Sequence, residues 1–465
     1  MATPDNSEAT IAAIATPPGP GGIGIIRISG SAAFPLLQQC FRPRRPVRHY
    51  QSHRLYYGWV ISPRSGTPLD EVLAVSMRAP QTYTREDVVE LHCHGSFLVL
   101  QEILALLLNH PGVRLAEPGE FTKRAFLNGR IDLTQAEAVI DLLQAKSRPG
   151  TQMAVAQLEG GLCRDVKTIR DNLLNVRAII EVAIDFPEED AEIMHPDALR
   201  QRLLEGVRAP LDSLLARAGQ SRIFRDGIAV VILGRPNVGK SSLLNCLLRE
   251  ERAIVTAVPG TTRDTIEEYL AIRGLPVRII DTAGIRDTAE TVEALGIHRS
   301  RQKLADADLV LLLLDAAAGV TPEDEALIAS IGEKPLVLVA NKTDIAPPAA
   351  VEAVRHACPA KPFVPLSAKT GNGLAALEET IFATVTGAGQ WEPGHVSVPN
   401  VRHEAALRRA SEAIDRIIAG LPASLPPDLI AVELQSALDH LGEIIGETTT
   451  EDMLDLIFSQ FCLGK

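Results

Sequence analysis

The chain has 465 residues, which is sufficient for roughly two to four domains with sizeable hydrophobic cores. Its formal net charge of -12 argues against a protein that coats nucleic acid with its whole surface, although a local basic site is compatible with this charge. The six cysteines are scattered without a C-x-x-C pair, and the sequence has neither a secretory segment nor a membrane-spanning apolar run, so the composition predicts a soluble cytoplasmic protein with free thiols.

The first segment, residues 1–125, mixes strand and helix patterns. Short β-type runs occur at residues 24–28, 72–77 and 88–92, and a helical pattern occurs at residues 97–108. These patterns predict an N-terminal α+β domain.

Two clusters in this segment are open to two interpretations each. Five arginines lie close together, at Arg42, Arg44, Arg45, Arg48 and Arg54. This basic patch indicates either a local site for a polyanion or a solvated loop that prolines interrupt. His92, Cys93 and His94 resemble a group of metal ligands, but alternation in a strand would place His92 and His94 on one face, and the strand is favoured over a metal site.

Residues 131–220 have apolar side chains at three- and four-residue spacing, as in Leu173, Val176 and Ile180, and this spacing predicts helices. An α/β segment follows, and the helical pattern returns from Arg402 onwards. Helices on both sides of an α/β segment predict a helical domain with an inserted guest domain, because insertion requires only that the ends of the guest lie close together.

The predicted fold class is therefore α/β plus all-α, with an N-terminal α+β domain and a helical domain that carries an inserted P-loop domain. The predicted boundaries are residues 1–125 for the N-terminal domain, 126–226 for the first part of the helical domain, 227–387 for the inserted domain and 388–465 for the second helical part.

Residues 234–241 have the pattern G-x-x-x-x-G-K-S, which is the phosphate-binding P-loop. An apolar run at residues 228–233 predicts the strand before the loop, and residues 242–248 predict the helix after it. Backbone N–H groups of such a loop and the positive end of the helix bind phosphate oxygens. Lys240 is expected to reach the β- and γ-phosphates, and the Ser241 hydroxyl is expected to bind Mg²⁺.

Residues 341–344 spell N-K-x-D after a further apolar run at residues 336–340. The Asp344 carboxylate can accept hydrogen bonds from N1–H and the 2-amino group of guanine, a donor pair that adenine lacks. Residues 367–369 spell S-A-K and are expected to give a backbone N–H to the guanine O6 atom. Together with the P-loop, these motifs predict that the nucleotide is GTP.

Two segments between these motifs are typical of loops that respond to the γ-phosphate. Residues 260–264 spell G-T-T-R-D, and Thr262 is expected to give Mg²⁺ a second hydroxyl ligand. Asp281 begins a D-T-A-G motif and is expected to lie near Mg²⁺, while the Gly284 N–H contacts the γ-phosphate. The next residue is Ile285, where Ras-like enzymes have a water-orienting glutamine. Either hydrolysis is very slow, or another residue orients the water.

Five further stretches lie outside the α/β segment, at residues 15–30, 118–130, 135–138, 183–187 and 461–465. Their sequences include A-T-P-P-G, G-I-G-I-I-R-I-S-G, P-G-E-F-T-K-R-A-F-L-N-G-R, Q-A-E-A, A-I-D-F-P and F-C-L-G-K. Through these motifs, in this order, the chain resembles the MnmE (TrmE) family of tRNA modification GTPases along its whole length.

The resemblance implies a GTPase that hydrolyses GTP to GDP and phosphate with Mg²⁺ and is stimulated by K⁺. It implies that the N-terminal domain forms a homodimer and binds a 5-formyl-tetrahydrofolate-type reduced folate, and that the inserted domain is a Ras-like G domain. It further implies a heterotetramer with the FAD-dependent partner MnmG. This complex adds an aminomethyl or carboxymethylaminomethyl group to C5 of the wobble uridine of certain tRNAs in the cytoplasm.

The resemblance also assigns roles to residues at matching motif positions. The expected folate contacts are Arg27, Glu90, Arg130 and Lys465. The expected K⁺ ligands are Asn237, Thr256, Val258 and Thr261, of which Thr256 and Val258 act through backbone carbonyls. Glu293 is the residue that the resemblance implies for orienting the attacking water, in place of the glutamine missing at position 285.

The complete set of residues predicted to bind GTP consists of Asn237, Val238, Gly239, Lys240, Ser241, Ser242, Thr256, Ala257, Val258, Pro259, Gly260, Thr261, Thr262, Asp281, Thr282, Ala283, Gly284, Asn341, Lys342, Asp344, Ser367, Ala368 and Lys369.

Two other functions are compatible with an intact G domain. A ribosome-assembly GTPase would carry a second G domain or a C-terminal KH module with its G-x-x-G loop, and neither pattern occurs in the C-terminal region. A nucleotide-gated scaffold without useful turnover is the second alternative. Hydrolysis well above that of slow Ras-like switches would favour the enzyme.

Overall fold

The computed structural model describes residues 9–186, 195–250, 268–280, 306–387, 398–423 and 425–465, together with Leu304. The chain divides into two compact units, one made of Met1–Ile140, Leu158–Ile193 and Ala423–Lys465 and the other of Asp141–Gln157 and Met194–Pro422. Each unit has its own sheet and its own core. The predicted four-part division stays a prediction, since each unit combines segments from several of those parts.

The strands in chain order are β1 Thr10–Ile14, β2 Gly21–Ser29, β3 Phe41–Pro43, β4 Arg54–Ile61, β5 Pro68–Met77, β6 Val88–Gly95, β7 Val113–Leu115, β8 Ile228–Leu233, β9 Glu268–Ile272, β10 Leu275–Ile280, β11 Leu309–Asp315, β12 Leu336–Asn341 and β13 Phe363–Pro365.

The helices are α1 Ala33–Cys40, α2 Phe97–Leu108, α3 Glu120–Leu127, α4 Leu133–Gln144, α5 Arg148–Leu158, α6 Gly161–Asp185, α7 Pro196–Leu203, α8 Ala209–Asp226, α9 Lys240–Glu250, α10 Pro322–Ile331, α11 Pro348–His356, α12 Leu374–Thr386, α13 Val401–Gly420, α14 Pro427–Ile445 and α15 Glu451–Phe458. A π-helical turn, Leu204–Arg208, joins α7 to α8, and a 3-10 turn, Leu421–Ala423, follows α13. Among the described residues, none of these helices combines the length and the apolar character that a bilayer span requires.

The sheet of the first unit has the strand order β3-β4-β5-β6-β2-β1-β7, and all its neighbours are antiparallel except β1 and β7. Helices α1 and α2 cover one face, where Ile26 and Leu91 are buried among helical side chains such as Leu37 and Ile103. The opposite face carries the polar side chains of β2 and β6. The predicted N-terminal α+β domain is confirmed.

Strand β6 alternates between the two faces, as its sequence predicts. Leu91 and Cys93 are buried towards the helices. His92 and His94 lie on the other face, where they contact the carboxylates of Glu90 and Asp70. The prediction of a strand for this segment is confirmed, and the described residues contain no group of side chains that could hold a metal ion.

The helical pattern predicted for residues 131–220 is also confirmed in the part of this range that the structure describes, residues 131–186 and 195–220. Helix α6 buries Leu173, Val176 and Ile180, which lie on one face because they are spaced by three and four residues. This face packs against α14, and the predicted return of helices near Arg402 appears as α13, α14 and α15.

The sheet of the second unit has the strand order β13-β12-β11-β8-β10-β9, and only β9 is antiparallel to its neighbour. Strands β8 and β12 are buried along their length, which explains their continuous apolar sequences. Because the parallel strands end at one edge of the sheet, the loops after β8, β11 and β12 meet there, where ligands of such sheets bind.

The turn between β9 and β10 packs closely against α5 within the second unit. Gly274 has φ +82, and a Cβ atom at this position would lie 3.0 Å from Cγ of Pro149. The preceding Arg273 forms an ion pair with Glu379 of α12, and its guanidinium lies 5.8 Å from the ring centroid of Phe382. The positive φ therefore favours glycine at the turn, and a Cβ atom there would be a tight fit against Pro149.

Candidate functional site

The P-loop follows β8 and has the backbone that phosphate binding requires. Gly234, Asn237 and Gly239 all have positive φ, at +152, +66 and +101. This conformation turns backbone N–H groups towards the inside of the loop. A Cβ atom on Gly234 would lie 2.4 Å from the Leu313 carbonyl oxygen, so the neighbouring strand β11 also requires a glycine here.

Lys240 lies across the mouth of this loop. Its ammonium donates hydrogen bonds to the carbonyl oxygens of Gly234 at 2.7 Å and Arg235 at 2.8 Å. Burial lowers the pKa of Lys240 from its ordinary value. The carbonyl contacts hold the ammonium beside the N–H groups, and Ser241 follows directly at the first turn of α9, as the predicted phosphate and Mg²⁺ roles require.

One side chain connects the three motifs that the sequence assigned to the nucleotide. Asn341, at the end of β12, donates from Nδ2 to the Val238 carbonyl oxygen at 2.7 Å and accepts at Oδ1 from the Ala368 N–H at 2.9 Å. Asn341 is 3% exposed, so both bonds are shielded from water. The P-loop, the N-K-x-D motif and the S-A-K motif are thus joined although they are distant in sequence.

The carboxylate predicted to bind guanine is held by a neighbour. Asp344 accepts a hydrogen bond at Oδ1 from the buried Ser367 hydroxyl at 2.8 Å. The Ala368 N–H is already used by Asn341, whereas the Lys369 N–H makes no hydrogen bond to a residue that the structure describes. Lys369 is therefore the residue of this motif whose N–H is available for the guanine O6 atom.

Asp315, which no sequence motif indicated, also belongs to this site. It ends β11 and forms an ion pair with Lys342 at 2.6 Å. Burial acts to raise the pKa of Asp315, but hydrogen bonds from Lys342 and from the Ala317 and Ala318 N–H groups outweigh burial and hold the pKa below its ordinary value. The sequence pattern that could have indicated Asp315 is the apolar run of β11, which ends in this acidic residue.

A second missed contact fixes the P-loop from its other side. Arg235 donates from Nε to Asp324 Oδ1 at 2.9 Å, and the Asp324 side chain is fully buried. The second carboxylate oxygen of Asp324 accepts from the backbone N–H and hydroxyl of Thr321 at the start of α10. The Arg235 guanidinium thus connects the P-loop to the N-terminus of α10. No local sequence pattern indicates this contact.

These elements enclose a cleft of about 660 Å³. Its lining includes Gly239, Ser242, Asn341, Lys342, Asp344, Ala368 and Lys369. A cleft of this size, with a P-loop at one end and a carboxylate at the other, can hold a nucleoside triphosphate.

Several predicted site residues lie outside the described residues. They are Thr256, Ala257, Val258, Pro259, Gly260, Thr261, Thr262, Asp281, Thr282, Ala283, Gly284 and Glu293. Their assignments to GTP, Mg²⁺, K⁺ and catalysis stay predictions.

A second candidate site lies in the first unit, around Arg27. Arg27 of β2 and Glu90 of β6 are directly opposite each other in the sheet and form an ion pair at 2.8 Å. The guanidinium also lies 5.9 Å from the ring centroid of Tyr83 and 5.7 Å from that of Phe121. Both charged side chains are largely buried, at 20% and 17% exposure, and this burial fixes their orientation.

The C-terminal residues pack against this site. Arg27 donates to the Gly464 carbonyl oxygen at 3.2 Å, and the Phe121 N–H donates to the Lys465 carbonyl oxygen at 3.2 Å. Gly464 has φ +88, and a Cβ atom there would lie 2.4 Å from the Ile14 carbonyl oxygen. The structure therefore brings Lys465 close to Arg27 and Glu90, as the resemblance implies.

Arg130 approaches the same site through an aromatic ring. Its guanidinium lies 4.7 Å from the ring centroid of Tyr83, the ring that also faces Arg27. Tyr83 and Arg130 line an open cleft of about 410 Å³. All four residues predicted to bind folate thus lie in one compact unit, and Tyr83, which sequence reasoning missed, lies between two of them.

Comparison with known proteins covers the full chain. The family model described as MnmE helical domain matches residues 133–462, and the model described as GTP-binding protein TrmE N-terminus matches residues 10–130. The tRNA modification GTPase MnmE of Desulfotalea psychrophila is 50% identical over 463 residues, which cover 98% of each protein. The tRNA modification GTPase MnmE of Geobacillus kaustophilus is 48% identical over 460 residues, which cover 98% of this chain and 99% of that protein.

Solved structures match a smaller part of the chain than these relatives do. The crystal structure of an Aquifex aeolicus Era variant bound to GDP and AlF4⁻ has 30% sequence identity and a TM-score of 0.28, and the match covers 40% of this chain and 66% of the Era chain.

Proposed function

The chain belongs to the MnmE family of tRNA modification GTPases, and from this membership we propose that it works with the FAD-dependent partner MnmG to add an aminomethyl or carboxymethylaminomethyl group to C5 of the wobble uridine of certain tRNAs. Hydrolysis of GTP with Mg²⁺ is the activity of this family. The observation that carries the finer proposal is the presence, in one chain, of a nucleotide cleft organised by Asn341 and a separate charged site organised by Arg27 and Glu90.

The nucleotide cleft supports GTP as the substrate. The Asp344 carboxylate, already oriented by Ser367, accepts from the guanine base, and the Lys369 N–H donates to its O6 atom. Lys240 contacts the phosphates from inside the P-loop. Ser241 and Thr262 are the proposed hydroxyl ligands of Mg²⁺, which would neutralise negative charge on the phosphates.

We assign the stimulating cation to Asn237, Thr256, Val258 and Thr261. Asn237 is exposed in the P-loop and has φ +66. A K⁺ ion held by these residues would neutralise negative charge that develops on the phosphates, as an arginine finger does in other GTPases. Glu293 then orients the attacking water, because Ile285 cannot.

This assignment predicts that the GTPase rate rises steeply when K⁺ replaces Na⁺ at constant ionic strength, which separates a bound ion from screening. Asn237→Ala and Asn237→Gly should both abolish the stimulation. Glycine adopts positive φ freely, so the second variant removes the amide without straining the loop. Steady-state phosphate release measures the effect. A full response to K⁺ in the glycine variant would contradict the role of Asn237.

A matched variant separates the cation from the water. Glu293→Ala should lower kcat by at least about 100-fold, since positioned acid–base groups contribute roughly 10²–10⁴ in rate. Its association with a second G domain in the presence of a transition-state analogue should still require K⁺. Turnover within a few-fold of the parent would remove Glu293 from the catalytic assignment.

The Arg27 site supports the reduced folate. Glu90 can accept hydrogen bonds from the amide and amino groups of a pterin ring, while Arg130 and Lys465 can pair with the glutamate carboxylates at the other end of the ligand. A bound folate supplies the one-carbon unit, and the residues of this chain bind and orient it. The cleft beside Tyr83 is within the usual size range for such ligands.

Two features support the proposed assembly and its location. Leu55 and Leu73 are exposed apolar residues on the sheet face that carries Arg27, and a second copy of the chain would cover them in a homodimer. A heterotetramer with MnmG brings the flavin to the folate. The six cysteines are free thiols, as expected for a protein that meets tRNA in the reducing cytoplasm.

Nucleoside analysis tests this function. Cells that lack the chain should contain tRNA whose wobble uridine has neither group at C5, and the parent chain should restore the modification. A chain without Gly464 and Lys465 should not restore it, because Arg27 loses its carbonyl partner and the folate loses an ammonium. Leu463→Ala, which keeps the tail, should restore it.

The same variants separate the folate site from the rest of the function. The truncated chain should bind reduced folate more weakly and GTP with unchanged affinity, since the two sites lie in different compact units. Equal folate affinity in the truncated and parent chains would remove Lys465 from the site. Normal wobble uridines in cells that lack the chain would contradict the whole proposal.

A further inference from the structure

The distribution of charge along the N-terminal segment is highly uneven. Between Glu8 and Asp70 the chain contains no aspartate and no glutamate, although the whole protein has 58 acidic residues and a net charge of -12. The same stretch contains seven arginines. Five of them form the group Arg42, Arg44, Arg45, Arg48 and Arg54, which is named here the arginine edge.

The fold places the arginine edge at one border of the first unit's sheet. Arg42 lies in the edge strand β3, Arg54 begins the neighbouring strand β4, and the other three arginines lie in the connecting loop. All five side chains are exposed. Positive charge on an edge strand also opposes pairing with another strand, so solubility alone would account for one or two arginines. The complete absence of acidic residues over the whole stretch requires a further explanation.

The arginine edge has few internal partners. Arg42, Arg45 and Arg48 form no ion pair with any residue that the structure describes. Arg44 lies 3.9 Å from Glu71 and 5.7 Å from the ring centroid of Tyr57. Most of the positive charge is therefore left for a partner outside the chain.

Two of the arginines are held by aromatic rings. The Arg44 guanidinium lies over Tyr57, and the Arg54 guanidinium lies 5.9 Å from the ring centroid of Tyr56. Such contacts orient the planar donor group without neutralising its charge. A guanidinium that is already oriented loses less conformational entropy when it pairs with a phosphate group.

The arginine edge lies on the same sheet as the Arg27 site, and Arg42 shares the face of that site, whereas Arg54 lies on the opposite face. Trp59 pairs with Arg42 of β3 and with Glu71 of β5, while the Glu90 position on β6 pairs with Val75 of β5. Three strand spacings separate β3 from β6, which is about 14 Å. A nucleic acid backbone on the edge would therefore run close to the site that we assign to the one-carbon donor.

We propose that the arginine edge binds the phosphodiester backbone of the tRNA and holds it while the wobble uridine reaches the Arg27 site. This inference rests on the proposed function, which names tRNA as the substrate. Backbone phosphates are the partner that fits, because a row of exposed guanidinium groups, of which only Arg44 has an acidic neighbour among the described residues, matches a regularly spaced polyanion. The exposed Tyr57 ring beside Arg44 is also able to stack on an unpaired base of an RNA loop.

The test compares two variants of the full-length chain that lose the same charge. Arg45→Gln combined with Arg48→Gln removes two cations from the arginine edge. Arg200→Gln combined with Arg202→Gln removes two exposed arginines of α7 in the other compact unit, and neither of these has an ion-pair partner among the described residues. Binding is measured with tRNA purified from cells that lack the chain, over a range of salt concentrations.

The variant of the arginine edge should bind tRNA at least about tenfold more weakly, and the slope of log affinity against log salt should decrease by about 1.4 to 1.8, which corresponds to two lost phosphate contacts. The α7 variant should retain the parent slope. GTP hydrolysis and folate affinity should be unchanged in both variants, which confirms that both chains are folded.

Three results would overturn the inference. An unchanged salt slope in the variant of the arginine edge would exclude phosphate contacts there. An equal loss of tRNA affinity in the α7 variant would show that the effect depends on the net charge of the chain and not on the arginine edge. Weaker binding to anionic lipid vesicles without weaker binding to tRNA would assign the surface to a membrane instead. If the parent chain itself fails to bind tRNA, the proposed function is contradicted, and the assignment of this surface falls with it.

Discussion

Replacing Asp344 with asparagine is expected to change the base preference of the enzyme from guanine to xanthine. The variant loses two hydrogen bonds from guanine to a charged carboxylate, at roughly 1.5–3 kcal/mol each. GTP affinity should therefore fall by about 10²- to 10⁴-fold, since 1.4 kcal/mol corresponds to a factor of ten. Xanthine has a carbonyl oxygen in place of the 2-amino group, so an amide that presents one donor and one acceptor matches it.

The Ser367 hydroxyl provides the control for this experiment. It supports Asp344 from behind at 2.8 Å and has no expected contact with the base. Ser367→Ala should weaken GTP and XTP binding to a similar extent, by about tenfold, because it removes one supporting hydrogen bond. Titration of each variant with GTP and with XTP measures the ratio of the two affinities. If Asp344→Asn keeps the parent preference for GTP over XTP, the carboxylate does not recognise the base.

Replacing Gly239 with alanine is expected to separate the P-loop from the N-K-x-D motif. The new Cβ atom would lie 2.2 Å from Nδ2 of Asn341, at a residue with φ +101. The backbone strain costs roughly 1–3 kcal/mol. Losing the buried bond from Asn341 to Val238 costs roughly 1–3 kcal/mol more. GTP affinity should fall by at least about 30-fold, which corresponds to the lower end of this sum.

Gly332 is a matched control because it has φ +67 and a Cβ atom there would meet no atom within 4 Å. Gly332→Ala introduces the backbone strain of a positive φ, at the end of α10, without the steric clash that Gly239→Ala also creates. Its melting temperature should decrease, whereas its GTP affinity should not. Equal GTP affinity in Gly239→Ala and Gly332→Ala would mean that the contact between Asn341 and the P-loop does not support nucleotide binding.

The sequence was sufficient to predict the elements that are buried on both sides. Strand β8 matches the predicted residues 228–233, because a central parallel strand needs apolar side chains on both faces and this produces a continuous run. The nucleotide motifs were equally accessible, since each combines local spacing with a fixed chemical role. Asn341, Asp344 and Lys240 were identified in this way.

Contacts between distant segments could not be predicted from local patterns. The ion pair between Arg27 and Glu90 depends on the register of two strands that are 63 residues apart, and only the family resemblance pointed to it. Asp315 was missed because its role depends on β11 being the neighbour of β12. The contact between Arg235 and Asp324 spans 89 residues and leaves no periodic signal.

The glycine turn at Gly274 has a mechanical consequence for the whole second unit. The β9–β10 hairpin connects the segment that carries Thr262 to the segment that begins at Asp281, so both predicted γ-phosphate-sensing segments continue from the same two strands. The far end of this hairpin lies close to α5, since a Cβ atom at Gly274 would come within 3.0 Å of the Pro149 Cγ atom. We therefore expect that a movement of the hairpin towards α5, when the γ-phosphate-sensing segments rearrange, displaces that helix.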